Sequence, residues 1–371
     1  MRIGFDAKRA FYNRSGLGNY SRDTIRILAE HYPQHSIFAY SPGPGKEGLF
    51  VSPQNCQVRR PSSAFYSTFS SAWRSYGIGA DLDRDAIDLY HGLSNELPLK
   101  RSSGKMRKVV TIHDLIFMRH PEYYKPVDRW IYRQKFTHAA SHADAVIAVS
   151  RYTAKDIIEL LSIPENKVQV VYQGYNAIFA QEPGRESLRS IKEKYGLPDS
   201  FILTVGTIEQ RKNQLSVLQA LRELKTDIPV VMVGKATEYK RELDEYIDRY
   251  AIPGVHFLHQ VPTADLPMIY RQAAMVVYPS LIEGFGIPVL EAVVCGVPVI
   301  TSADSCMEEA AGPGALYVDP LNVGELASAM RSLLNDAGLR KKLVNEGKDY
   351  VQQFNDLAIA ANLMNVYTSL F

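Results

Sequence analysis

The feature that most constrains this chain is a regular alternation of short apolar runs with amphipathic stretches. In the second half the runs fall near Phe201–Val205, Pro229–Val233, Val255–Leu258, Met275–Tyr278, Val297–Thr301 and Leu316–Val318, with helical patterns between most of them. A four- or five-residue apolar run bounded by turn residues reads as a strand buried on both faces. Strands separated by helices pair in parallel, with helices covering both sides of the sheet. The first half repeats the pattern, with strands expected at Arg2–Asp6, Ser36–Tyr40, Asp88–Gly92, Lys108–Ile112, Ala145–Val149 and Lys167–Tyr172. Helices are expected up to about Tyr32, from about Phe65 to Asp83, over Pro126–Ser141, over Arg151–Leu161 with Ser150 as N-cap, and up to Tyr195 with Gly196 as the stop. At 371 residues the chain is long for one doubly wound domain and comfortable for two.

Composition narrows the class. Hydrophobic residues at 46% and charged residues at 22% suit a globular protein with a sizeable core. A net charge of +2 excludes a global affinity for nucleic acid. Cys56, Cys295 and Cys306 are few and far apart, which suggests a reducing compartment and neither a disulfide framework nor a zinc site. Met1 leads straight into a strand without a signal-peptide core, and no run approaches the roughly 20 apolar residues of a membrane span. The expectation is a cytoplasmic protein, at most peripheral at the inner face of the membrane.

The stretch Glu283-Gly284-Phe285-Gly286-Ile287-Pro288-Val289-Leu290-Glu291 follows the Met275–Tyr278 strand and precedes an apolar helix. Proline is favoured at a helix start, so Pro288 is expected as the first helical residue. The N–H groups at Ile287–Leu290 and the positive end of the helix dipole then make an anion site, most simply for a phosphate. Two carboxylates, one before the helix and one expected in its first turn, would repel a phosphate alone. They suit a ligand that also carries hydroxyls, as a sugar nucleotide does. The bland alternative is a strand–loop–helix joint with two ordinary glutamates. Gly206-Thr207-Ile208-Glu209-Gln210-Arg211-Lys212-Asn213 follows another strand, and a glycine turn with two cations suits a diphosphate. The loop Arg14-Ser15-Gly16-Leu17-Gly18-Asn19-Tyr20 follows the first strand. It lacks the third glycine of the dinucleotide fingerprint. His113 closes the Lys108–Ile112 strand, where doubly wound folds place ligands, and Asp114 either orients it or caps a helix. Phe65, Tyr66, Phe69 and Trp73 read first as packing, with an acceptor- or membrane-facing patch as the alternative. Lys100, Arg101, Lys105, Arg107 and Lys108, around Ser102-Ser103-Gly104, read as a solvated loop or as a contact for anionic lipid or a diphosphate.

The two glutamates seven residues apart, with Gly-Phe-Gly between them, resemble the signature of the retaining glycosyltransferases of family four. Arg211-Lys212-Asn213 and the His113-Asp114 stretch resemble that family too, most of all its bacterial mannosyltransferase-like members. The resemblance implies the GT-B fold, two Rossmann-like domains facing each other across a cleft. It places an acceptor-side domain at 1–174, joined by a last helix over about 355–371, and a donor domain at 175–354. It implies that Glu283 binds the donor sugar hydroxyls and Glu291 the ribose, while Phe285, Gly286 and Ile287 hold sugar and phosphate through their N–H groups. Arg211 and Lys212 would hold the donor phosphates, which of them takes the leaving phosphate being open. Gly16 and Gly18 would lie near donor phosphate and acceptor, Gly206 and Lys235 near the nucleotide, Val261 near the base, and His113 against the donor sugar. No cofactor or metal is implied, because Arg and Lys can neutralise the phosphate instead, and no protein base is needed. The implied partners are a nucleotide sugar, GDP-mannose favoured and a UDP-sugar next, and a glycan or polyprenyl-linked acceptor in surface polysaccharide synthesis. The alternatives are a non-catalytic nucleotide-sugar-binding subunit, or a GT-B epimerase or phosphorylase.

Overall fold

The computed structural model describes residues 1–99 and 105–371, without the side chains of Ala64 and Ser71. Part of the basic stretch noted above, Lys100 to Gly104, lies outside the described residues. The chain divides into two units, Met1–Gln173 with Asp356–Phe371, and Gly174–Asn355.

Unit 1 is built on a seven-stranded sheet: β1 (Arg2–Asp6), β2 (Ser36–Tyr40), β3 (Cys56–Arg59), β4 (Leu89–Gly92), β5 (Arg107–Ile112), β6 (Ala145–Ala148) and β7 (Val168–Val170). All pairs are parallel and the order is β3-β2-β1-β4-β5-β6-β7. The period of two along each strand separates two apolar layers. Ile3, Phe5, Ile37 and Ala39 pack on one face with the helix Gly16–His31 and with Leu363 and Tyr367 of the last helix, Asp356–Thr368. Phe38, Tyr40 and Tyr90 pack on the other with Trp73, Phe136 and Ile157.

Unit 2 carries a six-stranded parallel sheet: β8 (Ile202–Val205), β9 (Val230–Val233), β10 (Val255–Leu258), β11 (Met275–Tyr278), β12 (Val299–Ser302) and β13 (Ala315–Val318), in the order β10-β9-β8-β11-β12-β13. Both sheets are therefore doubly wound. The order reverses between β1 and β4 in unit 1, and between β8 and β11 in unit 2. At such a switch point two crossovers leave in opposite directions and open a crevice beyond the strand ends.

Three local expectations need correction. The single helix expected from Phe65 to Asp83 is broken. Helical turns at Ala64–Thr68 and Ser70–Ala72 run into a five-residue π turn, Trp73–Gly77, and then a helix Ile78–Arg84. The break sits at Phe69, whose backbone leaves the helical region at φ −102°, ψ 62°. Trp73 is buried while Phe65 and Phe69 are exposed, so the aromatic stripe is half core and half surface. Gly16 and Gly18 lie in the first turn of the helix Gly16–His31 instead of in a loop, after an unforeseen short helix, Lys8–Tyr12. A Cβ on Gly18 would stand 2.0 Å from the Asn13 carbonyl oxygen, so the bare Cα serves backbone packing there. Strand β3 has one buried residue, Cys56, and carries no apolar run that would reveal it.

Candidate functional site

The unit 2 switch point is held together by backbone before any side chain is considered. Strand β8 ends at Val205, and Gly206 turns with φ +138°. A Cβ on Gly234, after β9, would stand 1.8 Å from the Gly206 carbonyl oxygen, so these two loops cross backbone on backbone. The 3-10 turn Gln210–Lys212 follows, and Asn213 then adopts φ +56°. The Asn213 side-chain amide donates to the carbonyls of Pro279 (3.2 Å) and Pro320 (2.7 Å). Leu281 N–H and Ser280 Oγ both donate to the Arg211 carbonyl, at 2.8 and 3.1 Å. The loop after β8 is thus sewn to the loop after β11.

That stitching gathers Arg211, Lys212 and Glu283. Arg211 Nη1 lies 2.9 Å from Glu283 Oε2, and its Nη2 lies 2.7 Å from Glu209 Oε1. Lys212 Nζ pairs with Glu283 Oε1. The same carboxylate oxygen accepts from Ser280 Oγ at 2.7 Å and from Tyr278 OH at 2.9 Å. Burial pushes the Glu283 carboxyl up, but Lys212 and Arg211 outweigh it and bring it down to about 2. Burial opposes the charge on Arg211, yet Glu283 and Glu209 hold its pKa above the usual arginine value. Glu283 is therefore an ionised carboxylate at neutral pH. The cations expected to await a diphosphate already have a counter-charge, which a ligand must share or displace. Gly206 approaches the cluster from behind: a Cβ there would lie 3.8 Å from Lys212 Cε and from the Tyr278 ring.

The helix beyond Glu283 spans Ile287–Val294, one residue earlier than expected, with Pro288 second and Gly286 as N-cap at φ +113°. Val289 and Leu290 both bond the Gly286 carbonyl, at 3.0 and 3.1 Å. Their N–H groups are thus spent, contrary to expectation. The N–H groups of Gly286 and Ile287 have no partner among the described residues and are the donors left for an anion. Phe285 stands in the loop before the helix with its ring buried against Phe354. Glu291 lies in the second turn, since no acidic residue occupies the first. Burial raises its carboxyl to about 8, opposed by a 3.1 Å hydrogen bond from Tyr270 OH. The two glutamates of the stretch thus differ in state: Glu283 charged, Glu291 largely protonated at neutral pH.

The remaining expected residues are less closely tied. Lys235 follows Gly234 with its side chain exposed, and its carbonyl accepts from Ile208 N–H at 2.9 Å. Val261 is half-buried in the loop after β10. In unit 1, His113 follows β5 as expected and is buried, with Nε2 2.9 Å from the Leu93 carbonyl. A carbonyl only accepts, so Nε2 carries the proton and Nδ1 is the acceptor, 3.4 Å from Gln173 Nε2. Burial lowers its pKa to about 4, so the ring is neutral at pH 7. Tyr20 packs edge-on against it at 4.6 Å. Asp114 accepts from Ile116 N–H at 3.2 Å, at the start of the helix Ile116–Arg119. Tyr278, Ser280 and Glu209 escaped the sequence reading. Tyr278 and Ser280 flank the end of an apolar strand, and that position was the one available signal.

Comparison with known proteins agrees with this geometry. Residues 187–350 match the family model for glycosyl transferases group 1, and residues 14–177 match that for glycosyltransferase family 4. The chain is 31% identical over 295 residues to O-antigen chain mannosyltransferase B of Escherichia coli, covering 77% of this chain and 76% of that one. It is 30% identical over 263 residues to the serotype-specific mannosyltransferase WbdA of Escherichia coli, which covers 68% of this chain but only 32% of that longer protein. The crystal structure of Anabaena HepE in complex with UDP and glucose superposes with a TM-score of 0.74 at 19% identity, covering all of both chains. With two doubly wound sheets, a gathered Arg–Lys–Glu cluster and these matches, the chain belongs to the family 4 glycosyltransferases and has the GT-B fold.

Proposed function

We propose that the chain transfers a hexose, with retention of configuration, from a nucleotide sugar to a glycan or lipid-linked acceptor, GDP-mannose being the favoured donor and a UDP-sugar the next. The observation that carries this reading is the Arg211–Lys212–Glu283 cluster at the β8/β11 switch point, beside the Gly286 and Ile287 N–H groups. A donor brings a partner for each component. Its diphosphate takes the two cations and the helix N-terminal donors. Its sugar hydroxyls take the Glu283 carboxylate as the cations turn toward phosphate. Glu291, ionised on binding, would accept the ribose hydroxyls, and Lys235 and Val261 would border the nucleotide.

Charge builds on the departing diphosphate in the transition state. Arg211 and Lys212, gathered there by buried partners, turn from Glu283 to meet it. Metal is dispensable in this scheme, because the two cations neutralise the diphosphate. The leaving phosphate oxygen takes the acceptor proton on the face where the new bond forms, so no protein base is required. His113, neutral and accepting at Nδ1, would receive a hydrogen bond from a sugar hydroxyl. The mannosyltransferase names of the relatives support the donor sugar, and the UDP and glucose in the HepE structure support a nucleotide-sugar site of this kind. The O-antigen relative supports a place in surface polysaccharide synthesis. Among the described residues no helix is long and apolar enough to cross a membrane. In this reading, contact with a lipid-linked acceptor is peripheral.

The test is donor turnover. GDP-mannose and UDP-glucose are incubated with the protein in EDTA, and release of nucleotide is followed with and without hexoside acceptors. Release from one donor, lost in Glu283→Ala, is the expected result. No release from either, with no nucleotide-dependent thermal shift, contradicts the reading.

A further inference from the structure

The Glu283 carboxylate has partners that the donor reading leaves without a role. Besides the two cations, it accepts from the hydroxyls of Tyr278 and Ser280, both on Oε1, at 2.9 and 2.7 Å. Tyr278 closes β11 and is 3% exposed, and Ser280, two residues on, is fully buried. The cations are divided otherwise. Arg211 Nη1 takes Oε2, while Lys212 Nζ pairs with Oε1 and also donates to the Tyr278 hydroxyl at 2.5 Å. Burial and the Glu283 charge raise the Tyr278 phenol well above its ordinary value, so its proton stays in place to be donated. For the Ser280 proton, Glu283 Oε1 is the nearest acceptor, ahead of the Arg211 and Ile282 carbonyls at 3.1 and 3.4 Å.

The loop that carries these side chains is fixed separately, by backbone. Thr301 Oγ1 donates to the Tyr278 carbonyl at 2.8 Å, Ser302 Oγ to the Ser280 carbonyl at 2.7 Å, and Cys306 Sγ to the Glu283 carbonyl at 3.1 Å. The course of the loop is thus secured from β12 and the turn after it, and the two hydroxyls are free to orient the carboxylate. A diphosphate that draws Arg211 and Lys212 away leaves Oε2 open but leaves Oε1 with two donors on rigid supports. A carboxylate pinned at one oxygen keeps the other in a set direction, as positioning of a ligand requires.

We propose that Tyr278 and Ser280 are positioning residues, which pin Glu283 Oε1 so that Oε2, released by Arg211, meets a hydroxyl of the donor sugar. The inference rests on the donor-site reading and assigns the two hydroxyls to the sugar part of the donor, not to the nucleotide. Tyr278→Phe and Ser280→Ala each remove one hydroxyl. Calorimetry compares GDP with GDP-mannose, and UDP with UDP-glucose, in the wild type, both variants, Glu283→Gln and the two corresponding double variants. Each hydroxyl variant should keep its affinity for the nucleoside diphosphate; Tyr278→Phe even frees Lys212 of a partner. Each should lose about tenfold for the nucleotide sugar, the size of one hydrogen bond to a charged group. In the Glu283→Gln background that selective loss should disappear, because the hydroxyls act through the carboxylate. A merely structural role would weaken nucleotide and nucleotide sugar alike. Parallel losses for the two ligands, no loss in either variant, or a full selective loss in the Glu283→Gln background overturns the inference while the donor site stands. A wild type that binds neither nucleotide nor nucleotide sugar overturns the donor-site reading, and this inference with it.

Discussion

The two switch points use the same topology and hold different clusters of charge. At β8/β11 every oxygen of Glu283 is engaged, by Arg211, Lys212, Tyr278 and Ser280. At β1/β4, Arg74 is held by Asp6 and Glu96, while its buried Nε has no hydrogen-bond partner. Only the β8/β11 crevice adds a helix N-terminus with spare N–H groups, behind Gly286 at φ +113°. In unit 1, β4 stands where β11 stands in unit 2, and the described residues that follow it, 93–99, hold no helix. The difference teaches that the fold supplies the same location in both units, while the loop residues decide which charges and backbone donors stand there.

The largest effect that would sharpen this contrast is Glu283→Gln. It removes the counter-charge from two buried cations, a change worth about 3–5 kcal/mol. The melting temperature should fall, the loss should shrink on adding GDP or UDP, and transfer should drop at least a hundredfold. A variant with wild-type melting and turnover would break the comparison. Next is backbone crossing. Gly234→Ala places a carbon against the Gly206 carbonyl and should cost about 1–3 kcal/mol or more, as overpacking does. Gly18→Ala, against Asn13, should cost a similar amount in unit 1. Chemical denaturation measures both, and only the first should also weaken nucleotide binding.

A smaller effect is pH linkage at Glu291. Its carboxyl sits at about 8 in the folded chain, above the ordinary 4.5. The stability tied to its protonated form is complete below the unfolded value and is lost as pH rises through 8. Nucleotide binding that needs the carboxylate should therefore strengthen from pH 6 to 8, by at most about tenfold per unit, and then level off. Calorimetry in buffers of different ionisation enthalpy should show proton release near pH 7, absent in Glu291→Gln. A flat pH profile in the wild type would remove Glu291 from the ribose. The smallest effect is His113. With its pKa near 4, it should give no inflection in transfer between pH 5.5 and 8.

Much of this was legible in the chain. Val276-Val277 and Val231-Met232-Val233 announce buried strands because both faces of a parallel strand are covered. Strand β3, with one buried residue, had no such signal. The π turn that presents Arg74 depends on a local break at Phe69 that composition does not encode. Arg211, Lys212 and Glu283 were each singled out, but their pairing was not. Lys212, next to Arg211, is 71 residues from Glu283, and they meet only because β8 and β11 are neighbours in the sheet, a consequence of strand order. The 22 tyrosines, unexplained by composition, find a partial account in the structure. Tyr40, Tyr270, Tyr278 and Tyr367 bury their rings; the first three donate their hydroxyls to Asp85, Glu291 and Glu283, and Tyr367 shares a hydrogen bond with His91.

The most direct test of the central claim, that the β8/β11 crevice holds the donor diphosphate, is calorimetric titration of GDP and UDP into the wild type and Arg211→Ala. The account predicts that one nucleotide binds the wild type and that the variant loses at least tenfold in affinity, as truncating one buried charged partner costs about 2–5 kcal/mol. Equal affinity in both proteins would contradict it.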